Sequence, residues 1–139
     1  DISERYGLSL RNTTKDYVKF LASVKGTNLE GVKARKIFDS IAKSSASMGL
    51  SAEETSGTLR ALNQIISKGK VQAEELRGQL GDRLPGAFNI MARAMGVSTA
   101  ELDKMLQSGK VMADDVLPKF AIELEKTFGA DKTNRIKQI

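Results

Sequence analysis

Apolar positions along the chain recur every three or four residues, and glycines divide this pattern into short segments. The segment 52–66 shows it most clearly, with its apolar face at Ala52, Thr55, Leu59, Leu62 and Ile66. That spacing is the period of an amphipathic helix. Residues 6–10 alternate as a strand would, but no second such run exists to pair with them. The pattern therefore predicts an all-α fold, a compact bundle of about six short helices.

Hydroxyl residues followed three positions later by an acidic residue mark the predicted helix starts. In such a capping box the hydroxyl accepts a hydrogen bond from the third helical N–H, and the acid reaches back to the cap residue. Ser51–Glu54 is the strongest example, and Ser98–Glu101 has the same form. Thr13–Asp16 predicts the start of a first helix, and Thr27–Glu30 that of a second helix running to Met48. Gly57, inside the third helix, is explained by a close helix crossing.

One unit of sequence occurs twice. The run GKVQAEEL at residues 69–76, the first copy, returns forty residues later as GKVMADDV at residues 109–116, the second copy. Each glycine is predicted to end one helix, and each acidic pair to open the next, where carboxylates favour the positive end of the helix dipole. Adjacent carboxylates on a helix point about 100° apart, so neither pair is predicted to hold a metal.

Helix-breaking residues are most frequent between residues 67 and 96, which contain five glycines and Pro85. It predicts a helix stop, a short charged helix, a turn, and a buried amphipathic helix that Pro85 opens. Four polar residues surround these glycines: Arg77, Gln79, Asp82 and Arg83. Two interpretations of them stay open. Either they cap exposed carbonyls within the domain, or they are the contact to a partner protein.

Composition narrows the function classes. The chain has 139 residues, enough for a single domain, and it has no histidine and no cysteine. The common catalytic triads, zinc sites and thiol chemistry are therefore excluded, and the sequence predicts no enzyme, no metal and no cofactor. No apolar run reaches the roughly 20 residues that span a bilayer, so no membrane segment is predicted. Since the chain begins with Asp1, it is expected to be a fragment of a longer chain, with residues 1–12 and 130–139 frayed or acting as linkers.

Charge is unevenly distributed. The net charge is +5, and residues 1–47 carry nine basic and five acidic side chains, or +4. Residues 97–129 carry four basic and six acidic ones, or −2. A basic end favours contact with an acidic partner. Aromatic residues make up only 5% of the chain, too few for a platform on which single-stranded nucleic acid would stack.

The run ISKGKVQAEELRGQLGDRLPGAFNIMARAMGVSTAELDKMLQSGKVMADDVLPKFA, residues 66–121, resembles the conserved domain of tail tape measure proteins from long-tailed bacteriophages and prophages. The similarity extends from about Leu50 to Phe128, and more loosely upstream. It implies a non-enzymatic structural module that acts in tail assembly and tail-length determination.

The same resemblance implies partners and a location. The partners would be tail tube subunits, assembly chaperones or tail-tip initiator components, together with self-association and without a small-molecule substrate. The location would be the virion tail, and the host bacterial cytoplasm during assembly. The alternative function is a helical adaptor or nucleic-acid-associated domain that uses the basic N-terminal third, although nucleic acid is the less favoured partner.

Overall fold

A computed structural model describes residues 15–84 and 86–129. These residues form α-helices joined by short turns, which confirms the all-α prediction. The helices are α1 (15–24), α2 (Val32–Ser47), α3 (Ala52–Lys68), α4 (Ala87–Met95), α5 (Thr99–Gln107) and α6 (Ala113–Leu124). Two π-helical segments, Glu75–Leu80 and Glu125–Gly129, complete the order. The predictions for Pro85, for the cap at Thr13 and for residues 1–12 and 130–139 lie outside the described residues.

Helix starts follow the predicted caps in two cases and depart from them in one. Ser51 Oγ accepts the Glu54 N–H at 3.0 Å, and the Glu54 carboxylate accepts the Ser51 N–H at 3.1 Å. At the start of α5, Ser98 Oγ accepts the Glu101 N–H at 3.1 Å. Ser51 and Ser98 therefore cap α3 and α5 where the sequence places the helix starts. The full capping box forms at α3, while at α5 the structure gives the Ser98 cap without the return bond from Glu101.

The predicted start of the second helix at Thr27 is wrong. Thr27 Oγ1 accepts the Leu29 N–H, and the Glu30 carboxylate accepts the Gly26 N–H at 3.0 Å, so both side chains stabilise a separate turn. The helix α2 begins only at Val32, after Gly31 with φ 92° and ψ −132°. A residue with a Cβ rarely adopts that conformation, so Gly31 divides the turn from the helix.

The core lies around α6, which packs against α2 and α4, while α3 packs against α2 and the first π-helical segment. Helix α1 joins this core through aromatic contacts: the Tyr17 and Phe38 rings meet edge to face at 4.8 Å between centroids, and Phe20 lies 5.9 Å from Phe38. Among the described residues, no helix is both long and apolar enough to cross a bilayer.

The two copies of the repeated unit contact each other, which the sequence does not predict. The Val71 N–H donates to the Val111 carbonyl at 2.8 Å, and the Ala113 N–H donates to the Gly69 carbonyl at 2.9 Å. Lys70 and Met112 therefore lie opposite each other in an isolated antiparallel bridge. It is the one β-type pairing in the described part of the chain, which contains no strand.

Candidate partner-binding surface

The four candidate residues lie on and just after the π-helical segment Glu75–Leu80. The Gly81 N–H donates to the Leu76 carbonyl at 3.0 Å, five residues back, which is the π-helical bond. A Cβ at Gly81 would lie 3.0 Å from the Arg77 carbonyl carbon and closer still to its oxygen. This wide turn thus requires glycine at position 81, and the glycine determines how the neighbouring polar residues are presented.

Arg77 is held by contacts within the domain. Its guanidinium carbon lies 3.7 Å from the centre of the Phe88 ring in α4, within cation–π distance. Its Nη2 atom lies 3.6 Å from Asp103 Oδ1 in α5, in a half-exposed ion pair. Arg77 therefore ties the π-helical segment to the two helices that come after it.

Arg83 is also held within the domain. Its Nη1 atom donates to the Gln79 carbonyl at 2.7 Å, which is the carbonyl cap that one interpretation of the sequence expects. Its side chain covers Gly57, because a Cβ at that position would lie 2.9 Å from Arg83 Cδ. The close approach at Gly57 is thus made by the Arg83 side chain and not by a second helix, which corrects the prediction of a helix crossing.

Gln79 and Asp82 are exposed, and the structure gives their side chains no hydrogen bond or ion pair within residues 15–84 and 86–129. The four predicted residues are thus brought to one edge of the domain, where they divide into two kinds. The arginines stabilise the turn, and the amide and the carboxylate face solvent. That arrangement presents a donor–acceptor group beside a negative charge on the surface of the domain.

The acidic residues of the two copies make separate contacts. Glu75 is buried and lies 2.9 Å from Lys68 Nζ. Asp114 accepts a hydrogen bond from Asn28 Nδ2 at 3.0 Å, and Asp115 faces Lys119. Over the residues that the structure describes, no three acidic side chains come together as a metal site.

Two features were missed from sequence. The burial of Glu75 has no sequence signal, because the same pattern leaves Asp115 exposed in the second copy. A polar cleft between α1 and α3 was also missed, since it joins residues forty positions apart. The available signal was the spacing of Ser56, Arg60 and Asn63, which places three polar side chains on one face of α3.

Comparison with known proteins gives a consistent family. The tape measure protein family model matches residues 1–135. A protein of Salmonella phage Felix O1 (isolate Felix O1-VT1), named as a probable tape measure protein, is 41% identical over 118 residues. That similarity covers 84% of this chain, and the chain spans 16% of the length of this relative. No solved structure matches the chain.

Proposed function

The chain belongs to the tape measure protein family, and we propose that it is a non-enzymatic structural module of a phage tail, acting in assembly through protein–protein contact. The observation that carries this proposal is the family match over residues 1–135. The chain also lacks the histidine and cysteine on which much enzyme chemistry depends.

The proposal extends to tail-length determination, as a globular part of a longer ruler. The candidate partners are tail tube subunits, an assembly chaperone, tail-tip initiator components or a second copy of the chain. Its location would be the virion tail and, during assembly, the host cytoplasm. In this chain, the surface assigned to the contact is the turn that carries Gln79 and Asp82, with Arg77 and Arg83 as its supports.

The contacts that hold that turn support its assignment. The Arg77–Phe88 and Arg83–Gln79 contacts fix the backbone on both sides of Gly81 before any partner arrives. A contact surface that is already ordered loses less conformational entropy on association. Two exposed polar side chains on such a support are suited to oriented hydrogen bonds at the rim of an interface.

The test is capture of separately purified tail tube, chaperone and tail-tip proteins by the 139-residue chain. The double variant Gln79→Ala with Asp82→Ala is expected to lose capture of one component while keeping its helical circular dichroism. The matched control is Glu53→Ala with Gln64→Ala, which removes one carboxylate and one amide from exposed positions on α3. Equal capture by both double variants would remove the turn from the proposal. Capture of no component, together with a monomeric chain in solution, would contradict the assembly role.

A further inference from the structure

Helices α1 and α3 lie side by side and are joined by two hydrogen bonds. Ser56 Oγ donates to Asp16 Oδ2 at 2.6 Å, and Ser23 Oγ donates to Asn63 Oδ1 at 3.0 Å. Both bonds join residues forty positions apart, so the two helices run in the same direction. The bonds are seven residues apart along each helix, which is about 10 Å at 1.5 Å per residue.

A cleft of about 290 Å³ lies along these two helix faces. Three cationic side chains line it: Lys15 and Lys19 from α1, and Arg60 from α3. All three are exposed, and none forms an ion pair within the described residues. Lys15 and Lys19 are four apart on one helix, where like charges repel.

The charged side chains of the lining determine the polarity of the cleft. Asn63 adds an amide group to it, beside Ser23 Oγ at 3.0 Å, and that hydroxyl also contacts the Phe20 carbonyl at 2.7 Å. Asp16 is the one carboxylate among the described residues of the lining, and it accepts the Ser56 hydroxyl. Three cations and one carboxylate give the described lining a charge of +2, and the three cations supply its N–H donors.

We propose that this cleft between α1 and α3 binds a phosphate dianion, either as inorganic phosphate or as a phosphomonoester. A phosphate monoester carries about −1.5 to −2 charges at neutral pH and offers three acceptor oxygens, which matches the charge and the donors of the cleft. The Arg60 guanidinium supplies the paired donors suited to a phosphate edge, and the two lysines supply point charges. The site is distinct from the turn at Gln79, since its described lining comes from α1 and α3.

The test is a titration of the 139-residue chain with inorganic phosphate at constant ionic strength, followed by amide and side-chain NMR shifts. Saturable shifts are expected at the Asn63 NH₂ and the Arg60 Nε–H. The variant Arg60→Gln is expected to weaken binding about tenfold, the effect of losing one charge-assisted hydrogen bond. The control Lys36→Gln removes an exposed lysine of α2 that does not line the cleft, and it is expected to bind as the wild type does.

Two further ligands test which kind of molecule carries the phosphate. If a nucleoside monophosphate binds with the same dependence on Arg60, the ligand is a phosphomonoester. If only inorganic phosphate binds, the ligand is the free ion. Either result supports the site. Linear shifts without saturation would overturn it, as would equal weakening by Arg60→Gln and Lys36→Gln. A duplex without terminal phosphates that binds more tightly than inorganic phosphate would also overturn it, in favour of a nucleic-acid surface. Should Arg60→Gln lose helicity, Lys19→Gln takes its place with the same expectation.

Discussion

The two copies of the repeated unit, residues 69–76 and 109–116, have the same beginning and different ends. Each starts at a glycine with positive φ, +79° at Gly69 and +71° at Gly109. Each then buries its valine, with Val71 and Val111 almost inaccessible to solvent. The glycines end α3 and α5, and the valines lie in one core. The shared Gly-Lys-Val sequence thus ends a helix and brings the following valine back into the core.

The copies differ at their seventh residue and again in the chain that follows them. Glu75 is buried and its side chain is 6% exposed, while Asp115 is 69% exposed. Glu75 pairs with Lys68 of the preceding helix, whereas Asp115 faces Lys119 one turn later in its own helix. The same acidic position is therefore a tertiary contact in the first copy and a surface charge in the second.

The residues downstream of each copy explain the divergence. After the first copy come Gly78 and Gly81, and the chain forms a short π-helix that turns back toward α3. After the second copy comes an apolar stripe ending at Leu124, and α6 continues through the middle of the bundle. Two similar starts thus lead either to a surface turn or to a central helix, according to the glycine and apolar residues downstream.

The largest effect is expected where the copies agree. Leu76 and Val116 occupy the eighth position of each copy and are both buried. Leu76→Ala is expected to lower the free energy of unfolding by about 3 kcal/mol, and Val116→Ala by about 2 kcal/mol, because each leaves a cavity. Chemical denaturation measures both, with the exposed Ile122→Ala expected to change it by less than about 0.5 kcal/mol. A large loss at only one copy would contradict the shared core role.

The next largest effect on stability is expected at the seventh residue, where the two copies differ. Lys68→Met leaves the buried Glu75 carboxylate without its cation, and Lys119→Met removes the partner of an exposed aspartate. Breaking a buried pair from one side is costly, but half of Lys68 is in solvent, so we expect a loss of about 2 kcal/mol for Lys68→Met. For Lys119→Met we expect less than about 0.5 kcal/mol. Denaturation at neutral pH measures both values, and equal losses would remove the distinction between the two acidic positions.

A smaller effect tests the shared helix stop. Gly69→Ala and Gly109→Ala each force a Cβ into the left-handed region, at an expected cost of about 1 kcal/mol. Gly78→Ala is the matched control, because its φ is not positive and a Cβ there would meet no atom within 4 Å. That variant is expected to raise the thermal midpoint instead of lowering it. A rise in midpoint for all three would show that the positive φ carries no constraint.

The sequence predicts those features that depend on neighbouring residues. The caps at Ser51 and Ser98, the stops at Gly69 and Gly109 and the all-α class follow from local pattern, and all appear in the structure. The start of α2 was misplaced because Glu30 bonds backward to Gly26 instead of capping forward. In the candidate surface, local pattern gave the exposed polar turn but not its supports. Arg83 over Gly57 and Arg77 over Phe88 join separate elements, and nothing in single-sequence spacing identifies such pairs.

The smallest effect concerns the helices that precede the two copies. Hydrogen bonds from the Ser51 backbone N–H and hydroxyl hold the pKa of Glu54 below its usual value. The carboxylate therefore stabilises the fold above the unfolded pKa near 4.5, and this stabilisation is lost as the pH falls through the lower pKa of the folded state. Glu54→Gln is expected to lower the thermal midpoint slightly at pH 7 and to match the wild type at pH 2.

The control for that cap is Glu101→Gln in α5. The Ser98 hydroxyl accepts the Glu101 N–H there, but the structure gives the Glu101 carboxylate no return bond to the Ser98 N–H. The midpoint difference of Glu101→Gln from the wild type is expected to be smaller than that of Glu54→Gln at pH 7. Thermal melts of the three proteins across this pH range measure the difference directly. If the thermal midpoint of Glu54→Gln lay equally far below that of the wild type at pH 2 and pH 7, the ionised carboxylate would not be the stabilising group. The starts of α3 and α5 would then be equivalent, as their ends at Gly69 and Gly109 are.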